Sequence, residues 1–398
     1  MHGQIAPPIS GPPVVARWPA VYAVSFGVFG LIAAEFLPMS LLTPMATDLQ
    51  VSEGMAGQAV TATAVVALFT GLLIATLTRG IDRRHVLLGF SVLLILSNLL
   101  VALSGSFALL LVGRLLLGVA IGGFWTMSAA IAMRLVPSDQ VPKALSMIFA
   151  GVSLATVVAA PLGSWLGAIL GWREVYLGAA LFGALGLLAQ WATLPAMAST
   201  SAASLRTLFA VLLRPGVWQG ITCVALVFTG HFALFTFIRP FLEVSLAAGV
   251  TAVTVFLLGF GVANFVGTLL AGPLLKRSLG FTLMAMPLLA GASALALSGL
   301  NSASPLSLLL VSLWGLAFGA VPVAWTTWNT RVAPDEPESA GGLIVAAIQF
   351  AIAAGAGTGG LVFESAGSSG VYTYGGAVLV LASALIALSV KAPNRVPA

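Results

Sequence analysis

Few side chains in this 398-residue chain can ionise, and those standing inside long apolar runs are the first candidates for chemistry. Glu35 lies about halfway along the apolar stretch 19–46. An ionised carboxylate in such surroundings is costly unless it is paired, protonated or wetted, so this acid is suited to gain and lose a proton. His231 stands midway along the stretch 218–246, and imidazole is the side chain whose charge changes most readily near neutrality. The two form a candidate proton-exchanging pair. The structural alternatives are Glu35 as a fixed partner of Arg114 or of a backbone group, and His231 as a neutral, hydrogen-bonded ring. Arg114 cannot deprotonate. It must find an acid, carbonyls or water, and it can tune a neighbouring carboxylate without carrying the proton itself. Arg239 precedes Pro240, where a helix must kink and leave free carbonyls; it either lines a cavity or snorkels to the surface.

A second group consists of rings and amides: Trp125, Phe235, Phe237, Asn264, Trp325, Trp328 and Gln349. Large rings with a few amides suit a cavity for a planar, partly polar solute, and packing against neighbours or lipid is the alternative for each. Trp18, Trp172, Trp191 and Trp218 fall near the ends of apolar runs and fit an interfacial belt. Catalytic motifs are missing. Gly355-Ala-Gly-Thr-Gly-Gly360 matches a dinucleotide fingerprint in letters, but it lies inside an apolar helix with no preceding strand. Small residues there let helix backbones approach closely. No lysine follows a glycine, so a phosphate-cradling loop for ATP is absent, as are H-E-x-x-H and G-x-S-x-G. The single cysteine, Cys223, excludes an intramolecular disulfide and cysteine-cluster metal sites. The expectation is a protein with no catalytic residues, cofactor or metal, in which the proton is the coupling ion.

The elements that must position these groups follow from composition. Apolar residues make up 60% of the chain and charged residues 7%, against roughly 25% charged in soluble proteins. Mean hydropathy is +1.10. No water-soluble surface can be built from this, which disfavours soluble enzymes, and also nucleic-acid binders, whose basic patches meet phosphate in water. Residues 1–19 are rich in Pro and Gly and lack the features of a signal peptide, so the first apolar run is expected to be retained as a span. A membrane helix needs about 20 apolar residues. Charged or Pro/Gly punctuation divides the chain into twelve such runs: 19–46, 57–78, 86–104, 108–133, 142–168, 174–194, 218–246, 250–271, 281–300, 304–330, 340–363 and 371–390.

Lys and Arg in short loops are held on the cytoplasmic side. With both termini inside, thirteen of the sixteen cations fall in cytoplasmic segments, Arg17, Arg83, Arg134, Lys276 and Arg331 among them. Arg173 falls in an outer loop, while Arg114 and Arg239 lie within spans. The asymmetry also accounts for a net charge of +5 and a pI of 9.9 without a nucleic-acid partner. The polar segment Pro195–Arg214 reads as a linker, giving an N-terminal six-helix bundle (1–194), a cytoplasmic linker (195–217) and a C-terminal six-helix bundle (218–398). A shift of 197 residues places Gly118 on Gly315, Gly122 on Gly319, Arg134 on Arg331, Pro137 on Pro334 and Gly163 on Gly360. Such matched halves are typical of transporter folds. His231 follows Glu35 by 196 residues, which puts the pair at nearly equal depth on equivalent helices.

These motifs resemble the major facilitator superfamily, drug:proton antiporter type, over essentially the full chain. The family loop G-x-x-x-D-R-x-G-R-R is matched by Ala75-Thr-Leu-Thr-Arg79-Gly-Ile-Asp82-Arg83-Arg84, with Arg79 in the acidic position and Asp82 in place of the second Gly. Arg114, Gly118, Gly122 and Gly123 match the motif of span four. Gly151 and Ala160-Pro161-Leu-Gly163 follow the antiporter signature of span five in weakened form. Within the family, Glu35-Phe-Leu-Pro, Gly123-Phe-Trp-Thr-Met-Ser and Phe237-Ile-Arg-Pro are similar to stretches of bacterial purine ribonucleoside efflux pumps, and related sugar efflux proteins share the pair His231-Phe232. The resemblance implies an all-α membrane protein with twelve transmembrane helices in two pseudo-symmetric six-helix bundles. It also implies proton-driven export of purine ribonucleosides from a monomer in a bacterial inner membrane, with lipid and a small solute as partners. Sugar or drug efflux on the same fold and a passive facilitator without proton coupling are the alternatives; a membrane-embedded enzyme or sensor is the third class. Both termini are placed in the cytoplasm, so a green fluorescent protein fused after Ala398 should fluoresce and alkaline phosphatase fused there should be inactive; the opposite pattern would invert the topology.

Overall fold

The computed structural model describes residues 16–78, 80–137, 140–197, 205–333 and 337–390. Arg79 and Pro334, quoted above, lie outside them. The described residues form helices and connecting turns. The six helices α1 (Trp18–Asp48), α2 (Glu53–Leu77), α3 (Arg83–Ala102), α4 (Phe107–Leu135), α5 (Val141–Ile169) and α6 (Trp172–Thr193) make the first half. A short helix, α7 (Leu205–Leu212), follows within the linker. The second half comprises α8 (Val217–Thr236), the single turn α9 (Ile238–Pro240), α10 (Val250–Arg277), α11 (Leu279–Ser298), α12 (Pro305–Val332) and α13 (Pro337–Ser389). Ten helices are long and apolar enough to cross a membrane among the described residues. α5 adds a 29-residue apolar helix whose one charge is Lys143. α13 is broken at Gly367, where φ is +68°, and so provides two crossings. The total is twelve.

The helices run up to nearly two turns past the apolar stretches, as α10 does to Arg277, because backbone bonding continues after side chains become polar. Local sequence fixes several starts: Asp82, Ser106 and Ser278 accept from N–H groups in the first turns of α3, α4 and α11. Ser304 and Ser307 form a reciprocal cap with Pro305 at the first position of α12. One feature differs from the sequence expectation. The stretch 364–370, read as a loop, departs from helix at Gly367 alone, since glycine tolerates that backbone without strain. Beyond Thr236, the seventh span passes through α9 into a wide π turn at Phe241–Ser245, as expected where Pro240 removes a helix N–H.

The 197-residue repeat appears in three dimensions as the same packing register used twice. In the first half, a Cβ on Gly118 would meet the carbonyl of Thr63 and one on Gly122 that of Ala67. In the second, Gly315 faces the carbonyl of Phe260 and Gly319 that of Asn264. Thr63 and Ala67 shifted by 197 are Phe260 and Asn264. A threonine clasps the same helix pair in each half but from opposite helices: Thr126 of α4 donates to the carbonyls of Gly71 and Gly122, and Thr268 of α10, at the position equivalent to Gly71, to those of Gly319 and Asn264. Without a hydrophobic force between helices in lipid, such close backbone contacts are the main source of association. Outward faces carry Leu181, Leu188, Leu269 and Leu361, all well exposed, which suits a lipid solvent. Gly122→Leu and Gly319→Leu, which drive side chains into equivalent carbonyls, should each destabilise the solubilised protein by about 1–3 kcal/mol or more; thermal unfolding that left either unchanged would refute the shared register.

Candidate functional site

The charged ends of the helices give the molecule an arginine-rich end (loops near 78–83, 136–140 and 194–217) and an arginine-poor end (49–52, 103–106, 246–249). The first helix bears the acid. Glu35 is 6% exposed and makes no hydrogen bond or ion pair among the described residues. Arg114, fully buried on α4, lies close enough to act on its charge. The guanidinium does not close on the carboxylate. Instead Nη1 donates to the carbonyl of Ala34 (2.8 Å) and Nε to that of Ala59 (3.4 Å), while Nη2 has no partner. The reason lies four residues on: Pro38 cannot return an N–H to Ala34, so the carbonyl beside Glu35 is free for another donor. A side-chain cation thereby repairs the break and is fixed next to the acid.

The same arrangement occurs a turn and a half further along α1. Pro44 frees the carbonyl of Ser40, and Nη1 of Arg239 donates to it from the other half. Arg239 is 5% exposed, and its Nε is paired with Glu243 at 2.8 Å. The choice left by the sequence resolves toward neither a cavity wall nor snorkelling: this arginine joins the two halves. Ser52 bonded to Glu364 is a second join at the arginine-poor end. Phe237 packs there as well, fully buried, over Gly57 of α2 and Gly359 of α13, with its ring parallel to Phe363 at 5.2 Å.

His231 sits in an aromatic box, 2% exposed. The indole N–H of Trp314 donates to its Nδ1 at 3.1 Å. Phe318 lies flat on the ring at 3.2 Å and 1°, and Phe235 runs nearly parallel at 5.5 Å. An indole can only donate, so Nδ1 holds no proton while this bond stands and the ring is neutral. This is the structural alternative named for His231. His231 and Glu35 are nonetheless linked: Phe36 meets Phe235 edge-on at 5.5 Å, across the halves and next in sequence to Glu35.

The remaining candidates do not share one wall. Trp325 and Trp328 are each 1% exposed and meet edge-to-face at 5.4 Å, with Trp328 filling the space over Gly220 near the arginine-rich end. Along α8, Gly220 and Phe237 are about 25 Å apart at 1.5 Å per residue. Trp328 and Phe237 therefore cannot hold one small solute together. Asn264 spends an N–H on the carbonyl of Gly315 (3.3 Å), a helix-to-helix bond. Trp125 is partly buried and edge-on to Phe124. Two candidates keep unused polar atoms although buried, Gln349 through Oε1 and Trp325 through Nε1, and these remain suited to a solute. The sequence reading missed Trp314, Phe260, Phe318 and Glu243. The i, i+4 spacing of Trp314 and Phe318 on one helix face was the available signal.

The motif loop works within its own half. Asp82 accepts from the N–H groups of Arg84 (2.8 Å) and Met197 (2.9 Å), Arg83 donates to the Thr78 hydroxyl (2.6 Å), and Arg84 donates to the carbonyl of Trp191 (2.8 Å). Burial works to raise the Asp82 pKa, but these N–H donors and the nearby His85 and Arg84 outweigh it and hold the carboxyl below its ordinary value. The departure at Arg79 thus leaves a loop pinned to the end of α6 by Asp82. Pro161 lies inside α5; Gly261 of α10 packs closely on Val157, whose carbonyl that proline leaves free. Gly163 faces Ser40. The glycines 355–360 pack on α8 and α2, in agreement with the close-approach reading.

Residues 24–356 match the family model of the Major Facilitator Superfamily. The chain is 46% identical over 379 residues to the purine ribonucleoside efflux pump NepI of Salmonella paratyphi B, covering 95% of this chain and 96% of that one. A D-xylose-proton symporter superposes with TM-score 0.75 at 18% identity, over 95% of this chain and 98% of that one. A bacterial homologue of the human lysosomal transporter Spinster, solved inward-facing and unoccupied, gives 0.72 at 15% identity, over 96% of both chains. At those identities the structures speak for the fold alone.

Arg114→Leu should destabilise the protein by about 1–3 kcal/mol by orphaning the Ala34 carbonyl. Pro38→Ala in the same chain returns an N–H to that carbonyl and should recover part of the loss. A thermal-unfolding double-mutant cycle with no coupling between the two positions would refute the repair.

Proposed function

The chain belongs to the Major Facilitator Superfamily, and from that premise we propose that it exports purine ribonucleosides across a bacterial inner membrane in exchange for protons. Alternating access through the rocking of two six-helix halves is the mechanism in this reading. The cargo rests on the similarity to the NepI pump over nearly the whole chain. The coupling rests on one observation: Glu35 is buried, carries no ion pair, and lies beside a cation already committed to a backbone carbonyl. A carboxylate so placed is free to change its protonation state without breaking a bond of its own.

The arginine-rich end is cytoplasmic in this proposal, by the positive-inside rule, and both termini lie there. Glu35 binds a proton when the site opens outward, which removes a buried charge and favours release of the cargo. It returns the proton when the site opens to the cytoplasm and a new nucleoside enters. Arg114 biases the acid electrostatically but stays bonded throughout. The bonds Arg239–Ser40 and Ser52–Glu364 hold the outer side shut in one state and part in the other. Gln349 and Trp325 offer polar atoms to the cargo, and no cofactor takes part.

Proteoliposomes loaded with inosine test the scheme. The wild type should export against a concentration gradient when a proton gradient is imposed, and a protonophore should abolish this. Glu35→Gln should lose uphill export while keeping nucleoside exchange. Uphill export that survives in Glu35→Gln would overturn the coupling, and transport insensitive to the protonophore in the wild type would select a passive facilitator.

A further inference from the structure

The bond from Trp314 to His231 fixes more than the position of a ring. A neutral imidazole carries one N–H, and when Nδ1 is an acceptor that hydrogen must sit on Nε2. Phe318 covers one face of the ring at 3.2 Å, and Phe235, Phe260 and Phe232 crowd around it. The groups facing the ring from α10 and α12 and along α8 itself are Phe260, Trp314, Phe318, Phe232 and Phe235; none of them can titrate in the physiological range. Phe36, next in sequence to Glu35, touches the box through Phe235.

Among the described residues Nε2–H makes no hydrogen bond, and although the residue is only 2% exposed this nitrogen is not sealed from accessible space. A solute that supplies an acceptor there gains a hydrogen bond to a donor that is otherwise unused. We propose that Trp314 locks His231 as the Nε2–H tautomer, so that His231 reads a hydrogen-bond acceptor on the cargo and sets specificity, with Trp314 as its positioning residue. This rests on the transport reading above for the cargo, where a base carbonyl, a ring nitrogen or a ribose oxygen supplies the acceptor.

The tautomer can be seen directly. In protein carrying His2→Gln and His85→Gln, 15N-labelled histidine reports on His231 alone. The spectrum, taken without solute, should show the Nε2–H form unchanged from pH 5 to 8, and Trp314→Phe should give a mixture of tautomers or a titrating ring. An Nδ1–H form or an imidazolium near neutrality in the Trp314-containing protein would overturn the lock. Inosine binding decides the second step. His231→Gln, which keeps an N–H near the Nε2 position, should retain affinity within a few-fold, whereas His231→Phe should weaken it about tenfold. Equal affinity in His231→Phe and wild type would overturn the specificity role. A wild type that ignores inosine would refute the nucleoside reading alone, and the solute-free spectrum would still decide for or against the lock.

Discussion

Within hydrocarbon, every backbone carbonyl needs a donor from the protein itself, because no water is available to replace a missing one. The first helix violates this twice, at Pro38 and Pro44, and both violations are repaired by arginines from elsewhere in the sequence. Arg114 repairs the first from within the same half and is fixed beside Glu35. Arg239 repairs the second from the opposite half. The requirement to satisfy two carbonyls thus places one cation next to the acid and another across the joint between the halves.

The repeat explains why so few polar groups suffice. Each half builds its scaffold by pressing glycine-bearing helices against neighbouring carbonyls in the same register, with a threonine clasp added from opposite helices of the pair. Where the halves differ, their buried chemistry differs. The position equivalent to Arg114 is Val311, and that equivalent to Ser40 is Phe237. The first half therefore carries Glu35 and Arg114 while the second carries the aromatic box, and the two meet where Phe36 touches Phe235.

Much of this was legible in the residues. Twelve apolar runs, the 197-residue shift and the kink at Pro240 all reappear as structure, because span length, glycine spacing and a missing N–H are local properties of the chain. Neutral His231 was one of two alternatives, and nothing local could choose between them, since the choice is made by Trp314, 83 residues away. The aromatic and amide set was grouped by type alone; depth along α8 separates Phe237 from Trp328. Arg239 could be placed near a kink, but its acceptor was not visible from its own helix. Counting four residues back from each proline of α1 would have pointed to Ala34 and Ser40 as carbonyls seeking donors.

Because Arg114 and Arg239 hold main-chain atoms, the identity of residues 34 and 40 hardly matters to either bond. Any amino acid offers the same carbonyl. What the arrangement does demand is that a ring-closed imino acid stand one helical turn downstream, so each guanidinium is tied to a proline, Arg239 while also pairing with Glu243. Among divergent copies of this chain, loss of either arginine should then travel with loss of its proline, a covariation that a search for conserved ion pairs would pass over.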